Sequence, residues 1–165
     1  MAKKNEVATV SERTITDNVL NRINKMQGEG SLQIPDNYSP ENALKSAYLK
    51  LLETKTKDNK PVLQACSQES IANSLLEMVV QGLNPMKNQG YFIPYGGQLT
   101  FSRSYLGTVA ITKRLPGVLD IKGYPVYKDD VFETDFDLMS GSLRVTKYVP
   151  NIKSRNSKDL IGAFA

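Results

Sequence analysis

At residues 81–85 the chain reads QGLNP, and no regular element can run through it. Upstream, apolar residues recur at helical spacing; downstream of Gly90 they alternate. Glycine suits the end of a helix, and proline, with no N–H and a fixed φ, blocks its continuation. The sequence is therefore divided into a helical first part and a strand-rich second part.

Three helices are predicted before that divide. The first, Ser11–Met26, places Ile15, Val19, Ile23 and Met26 on one face and is stopped by Gly28 and Gly30. Residues 1–10, polar and aperiodic, read as disordered. The second starts at Ser39-Pro40-Glu41: a capping hydroxyl, proline at the first helical position, and an acid in the first turn. Ala43, Leu44, Ala47, Tyr48, Leu51 and Leu52 form its buried stripe. It fades into the polar connector TKTKDNKP. Ser67 opens the third, with Ile71, Leu75 and Val79 inside and Leu76 and Met78 as further candidates.

Past the divide, YFIPY-GG-QLTFS carries a two-residue hairpin signal. A turn at Gly96-Gly97 pairs Tyr95 with Gln98, Ile93 with Thr100 and Tyr91 with Ser102. One face then holds Tyr91, Ile93, Tyr95, Gln98, Thr100 and Ser102. The other, with Phe92, Pro94, Leu99 and Phe101, is the core face. Pro94 cannot donate to a ladder, so its strand lies at an edge or leaves that side unpaired. From Ser104 a short helix points Leu106, Val109, Ala110 and Leu115 inward, and Pro116-Gly117 ends it. Residues 118–127, 130–136, 142–149 and 159–165 read as strands of a meander, with a turn at 138–141. Helices followed by antiparallel strands indicate an α+β fold.

Composition excludes more than it assigns. The 165 residues contain no His, which removes every His-dependent triad, relay and zinc site. The single cysteine, Cys66, excludes an internal disulfide and suits a reducing cytosol, and no apolar run is long enough to span a membrane. No Gly-x-x-x-x-Gly-Lys-Ser/Thr is present to hold ATP phosphates. Charge alternates in blocks. Residues 86–127 carry Lys87, Arg103, Lys113, Arg114 and Lys122 against Asp120. Residues 128–137 carry Asp129, Asp130, Glu133, Asp135 and Asp137 against Lys128, and from Arg144 onward cations dominate again. That pattern fits a solvated mixed surface or a basic groove for a polyanion.

Two chemistries compete for these residues. Asp120-Ile121-Lys122 with the acids of 129–137 has the residue types of a Mg²⁺-dependent nuclease, since Mg²⁺ takes oxygen ligands. A solvated turn surface uses the same residues. Single-strand nucleic-acid binding needs cations for phosphates and aromatic faces for bases. Tyr91, Tyr95, Tyr105, Tyr124 and Tyr127 interleave with the cations of 87–128. Each tyrosine alone also suits a half-buried strand position, and Lys113 and Arg114 also suit the negative end of their own helix.

The ordered elements QGLNP, YFIPYGGQLTF, Tyr105-x-Gly107, Lys113-Arg114 and VYKDDVF resemble the core of RecT-type single-strand annealing proteins of phages and prophages, nearest the Gram-positive prophage branch. The likeness covers residues 40 to 165. Leu106 departs from the basic residue expected in other branches. The apolar run LIGAFA ends the sequence without a polar tail, as though a C-terminal part of the family's pattern follows it. Residues 1–38, outside the likeness, read as an N-terminal tail and helix suited to an oligomer contact; the resemblance implies 39–165 as an annealing core. It implies a β-β-β-α unit similar to the eukaryotic annealing protein Rad52.

It further implies ATP-independent binding of single-stranded DNA and annealing to a complementary strand, in homologous recombination, with no cofactor, metal or covalent catalytic site. The implied partners are single-stranded and annealed duplex DNA, further copies of the chain in a ring or helical filament, a phage exonuclease and a host single-strand-binding protein, all in the cytoplasm with no membrane. On this reading Lys87, Arg103, Lys113, Arg114, Lys122, Lys147, Lys153 and Arg155 are phosphate contacts. Tyr91, Tyr95, Gln98, Thr100 and Tyr105 lie on or beside the DNA-facing hairpin surface. A non-DNA oligomeric scaffold is the third class.

Overall fold

The computed structural model describes residues 3–153 and 155–165, with side chains from Ile15 onward. The chain is α+β and forms two compact units, Met1–Val118 and Leu119–Ala165.

The first unit is built on helices α1 (Lys3–Gly28), α2 (Pro40–Glu53), α3 (Val62–Ala65), α4 (Gln68–Val80) and α5 (Tyr105–Thr112). Strands β1 (Gly90–Tyr95) and β2 (Gln98–Arg103) sit between α4 and α5. The predicted caps are in place: the Ser39 hydroxyl accepts from the Asn42 N–H, and that of Ser67 from the Ser70 N–H. Helix α1 begins at Lys3, well before Ser11, so the reading of 1–10 as disordered fails from Lys3 onward. Two short elements escape the periodicity, α3 and a 3₁₀ turn at Pro85–Lys87, because neither is long enough to show a repeat.

The core joins α1, α2 and α4 to one hairpin face. Ile23, Leu44, Leu51, Ile71, Leu75, Met78 and Leu83 are fully buried, each contributing about 1.5–3 kcal/mol. Phe92, Leu99 and Phe101 close the cluster from the hairpin side, with the Phe92 and Phe101 rings 5.4 Å apart. Leu52, Leu106 and Leu115 are exposed instead of buried. Leu52 lies past the arc that α2 turns to the core, and α5 is so short that only Ala110 and Ile111 reach the cluster.

The β1–β2 register agrees with the sequence pair for pair, from Tyr95 opposite Gln98 to Tyr91 opposite Ser102. Gly96 and Gly97 have φ of 57° and 77°, the left-handed conformations a two-residue hairpin turn requires. Two buried serines dock the hairpin on α4. The Ser70 hydroxyl accepts from the Leu99 N–H at 3.0 Å, and the Ser74 hydroxyl donates to the Leu99 carbonyl at 2.7 Å. Leu99 therefore turns both backbone groups away from Pro94, its partner in the register, which has no N–H to offer.

The second unit contains β3 (Tyr124–Tyr127), β4 (Val131–Asp137), β5 (Ser142–Val149) and β6 (Leu160–Phe164). Here β4 pairs with β5, while β3 pairs with β6, so the expected meander is corrected. Only 124–127 of the predicted strand 118–127 is extended. The Asp130 carboxylate braces this nested pairing: it accepts from the Tyr127 N–H at 3.0 Å and the Asn151 N–H at 2.7 Å. These bonds hold the end of β3 against the segment after β5, leaving no hairpin between β3 and β4. Tyr124, Phe132, Tyr148 and Phe164 stack into one aromatic cluster, with neighbouring ring centroids 5.0–6.3 Å apart.

Candidate nucleic-acid interface

The structure brings three predicted phosphate contacts together in the first unit. Lys87, Lys113 and Arg114 line a cleft of about 590 Å³, with Asn42, Asn84 and Gln89 among its other walls. Among the described residues no carboxylate lines it. Its lining includes Ser39 and Asn42 at the start of α2, where the aligned peptide dipoles give the capped helix end a partial positive charge.

Each wall is fixed locally. The Asn84 side chain accepts from the Met86 N–H at 2.9 Å, while the Gln89 side chain accepts from the Asn84 N–H at 2.9 Å. These bonds set the 3₁₀ turn that presents Lys87. Helix α5 presents Lys113 and Arg114 at its C-terminal end, and its start is clamped by Ser104, which accepts from the Gly107 N–H and donates to the Asn88 carbonyl. At Gly107 the backbone of α5 presses on the chain before β1: a Cβ there would lie 2.1 Å from the Gln89 carbonyl oxygen.

Arg114 has a second occupation. Its guanidinium donates to the Gln81 carbonyl at 2.9 Å and to the Gly82 carbonyl, so it caps the C-terminus of α4. The sequence offered α5, its own helix, as the structural partner; the helix capped is a different one. Beneath it the Tyr38 hydroxyl donates to the Leu83 carbonyl at 2.8 Å. Burial pushes the Tyr38 phenol well above its ordinary value, with the Arg114 charge opposing in part.

The hairpin surface faces solvent as predicted. Tyr91 is 54 % exposed, Tyr95 80 % and Tyr105 77 %, and Thr100 and Gln98 are exposed beside them. Gln98 is not wholly available, because its side-chain oxygen accepts from the Ser67 hydroxyl at 3.3 Å. Arg103 reaches the Gln81 side chain at 3.4 Å. At the hairpin turn lies a second cleft of about 510 Å³, lined by Lys57, Lys60, Gln64 and Tyr95 among others. Its lysines belong to the segment that the sequence presents as a polar connector. The close spacing of Lys55, Lys57 and Lys60 was the available signal.

The second unit holds the remaining cations, most of them engaged. Lys122 pairs with Asp120 at 3.5 Å and Lys147 with Glu133 at 3.4 Å. Arg155 lies over the Tyr127 ring at 5.1 Å and donates to the Tyr148 hydroxyl at 3.4 Å. Lys153 is exposed. The acids of this unit serve turns and ion pairs. Hydrogen bonds from the Tyr127 and Asn151 N–H groups hold the Asp130 carboxyl below its ordinary range, and those from Met139 and Ser140 do the same for Asp137. Among the described residues, no three His, Cys, Asp or Glu side chains gather where they could hold a metal ion. No described helix is long and apolar enough to cross a membrane.

Compared with models of known protein families, residues 41–165 match that of the RecT family. No curated protein matches the chain.

Proposed function

Since the chain belongs to the RecT family, whose members anneal single strands in DNA recombination, we propose that it binds single-stranded DNA and anneals it to a complementary strand without ATP. The observation that carries this reading is the carboxylate-free cleft bounded by Lys87, Lys113 and Arg114. Three cations and a helix N-terminus around one hollow fit a phosphate, and the tyrosines of the hairpin face offer ring surfaces for bases.

Annealing by such a surface requires no covalent step. The phosphates of a first strand are held by cations, which leaves base edges to be read by a second strand. Base pairing supplies specificity, and a surface that holds the paired product more tightly than either strand drives the reaction. Homo-oligomers aligned along the strand, with residues 1–38 as a contact between copies, and delivery of the single strand by a phage exonuclease complete the proposal. A host single-strand-binding protein is a further partner in this proposal, and the cytoplasm its compartment. Lys122, Lys147, Lys153 and Arg155 are proposed as weaker contacts, because their carboxylate and aromatic partners compete for three of them.

The test is binding to oligo(dT) as salt is varied, for wild type, Lys87→Ala and Lys113→Ala. Each loss of a phosphate contact on a single strand should lower the slope of log K against log salt by about 0.7. Folded variants with wild-type affinity and slope would remove the cleft from the interface.

A further inference from the structure

Building on the reading of the chain as a single-strand binder, we propose that the cleft at the hairpin turn is a second nucleotide anchor: Tyr95 stacks a base, and Lys57 and Lys60 hold adjoining phosphates of the same strand.

Its parts meet three requirements of such a site. The hollow, about 510 Å³, falls within the roughly 300–1,000 Å³ of small-ligand pockets. Tyr95 is 80 % exposed, so one ring face is free for stacking. The cations are also free. Lys25, Lys50, Lys122 and Lys147 have carboxylate partners, whereas no ion pair among the described residues engages Lys57 or Lys60. Asp58 is the one carboxylate on the lining and leaves it net positive. Gln64 adds an amide for a base edge.

The backbone of the site is tied down by hydrogen bonds. The lysine loop is closed by the Thr56 N–H on the Lys60 carbonyl at 2.9 Å and by the Lys60 N–H on the Thr56 hydroxyl at 3.2 Å. It is anchored by Val62, which is fully buried. The hairpin turn is tied down from the other side, where the Ser67 N–H donates to the Gly97 carbonyl at 2.9 Å. The backbone that carries platform and cations is thus held without ordering by the ligand, which lowers part of the entropic cost of binding.

Placement supports a shared strand. The Lys87–Lys113–Arg114 cleft includes Ser39 and Asn42, at the start of α2, while Thr56–Lys60 follow its end. A helix of 14 residues is about 21 Å long. At about 3.4 Å per nucleotide that length corresponds to roughly six stacked nucleotides between anchors.

The experiment uses the absence of tryptophan from the chain. Tyr95→Trp installs a single fluorophore at the proposed platform. Titration with oligo(dT)20 should quench it in step with binding followed by anisotropy of the labelled oligonucleotide. The Lys57→Ala/Lys60→Ala double variant should lower the salt slope by about 1.4, and Tyr95→Ala should weaken binding about fivefold or more, with Tyr95→Phe retaining most of it. These side chains lie outside the core, so folding is expected to survive, and circular dichroism checks it. Binding without quenching, together with a wild-type slope in the lysine variant, overturns the second anchor while leaving the annealing function intact. Failure of the wild-type chain to bind oligo(dT)20 at all overturns both.

Discussion

Arg114 has a structural role beside its proposed contact with DNA, and the structure indicates what its removal costs. Arg114→Ala deletes two charge-assisted hydrogen bonds, to the Gln81 and Gly82 carbonyls at the end of α4. Bonds to charged groups are worth about 1.5–3 kcal/mol each when water is excluded. Arg114 is exposed, so water replaces part of what the guanidinium supplies, and the expected net loss is about 1–2 kcal/mol. In a domain of this size that lowers Tm by about 4 °C per kcal/mol. Arg114→Lys keeps the charge but loses the planar fork, and should recover about half. Far-UV circular dichroism reads the effect directly, because the described α-helices all lie in the first unit. A Tm within about 1 °C of wild type would refute the capping argument. The consequence for function is that a binding defect in Arg114→Ala is ambiguous unless stability is measured with it. Lys87 is the cleaner probe of the cleft.

Other outcomes follow from single contacts. Gly107→Ala should destabilise the first unit by about 1–3 kcal/mol, seen as a lower denaturant midpoint, because its Cβ collides with the Gln89 carbonyl and the Arg103 side chain. An unchanged midpoint would contradict that close approach. Ser74→Ala should cost about 1–3 kcal/mol by leaving the buried Leu99 carbonyl without its donor; a neutral result would mean the hairpin is not docked through this bond. With Asp137, Asp130 shapes the acid limb of the second unit. Its folded value lies below the ordinary 3.8, so its contribution is complete above that value and is lost as pH falls through it toward the folded one. Near-UV circular dichroism of the aromatic cluster should show this acid transition in wild type and a shallower one in Asp130→Asn.

What the sequence disclosed was what local chemistry decides. Ser39 and Ser67 are caps because hydroxyls satisfy N–H groups within their own turn. The Gly96-Gly97 turn set the hairpin register, and with it the division into a core face and a tyrosine face. Non-local choices stayed hidden. The pairing of β3 with β6 joins segments on either side of the β4–β5 pair, which no period in the sequence encodes. The exposure of Leu52 and Leu106 depends on how wide an arc each helix turns to the core, and Leu115 lies beyond the end of α5. The same holds for the site. Lys87, Lys113 and Arg114 were each legible as cations in a basic block, but their gathering around the start of α2 is a product of packing. Arg114 as a cap on α4, and Lys57 with Lys60 beside Tyr95, become visible only when distant segments meet.

The most direct test of the central claim is annealing of two complementary oligonucleotides, one carrying a fluorophore and one a quencher, in EDTA and without any nucleotide triphosphate. The account predicts that the chain accelerates quenching over the spontaneous rate, that the Lys87→Ala/Lys113→Ala variant loses most of the acceleration, and that both strands are recovered intact. Spontaneous-rate annealing in the presence of bound protein, or acceleration that appears only with ATP or Mg²⁺, would contradict it.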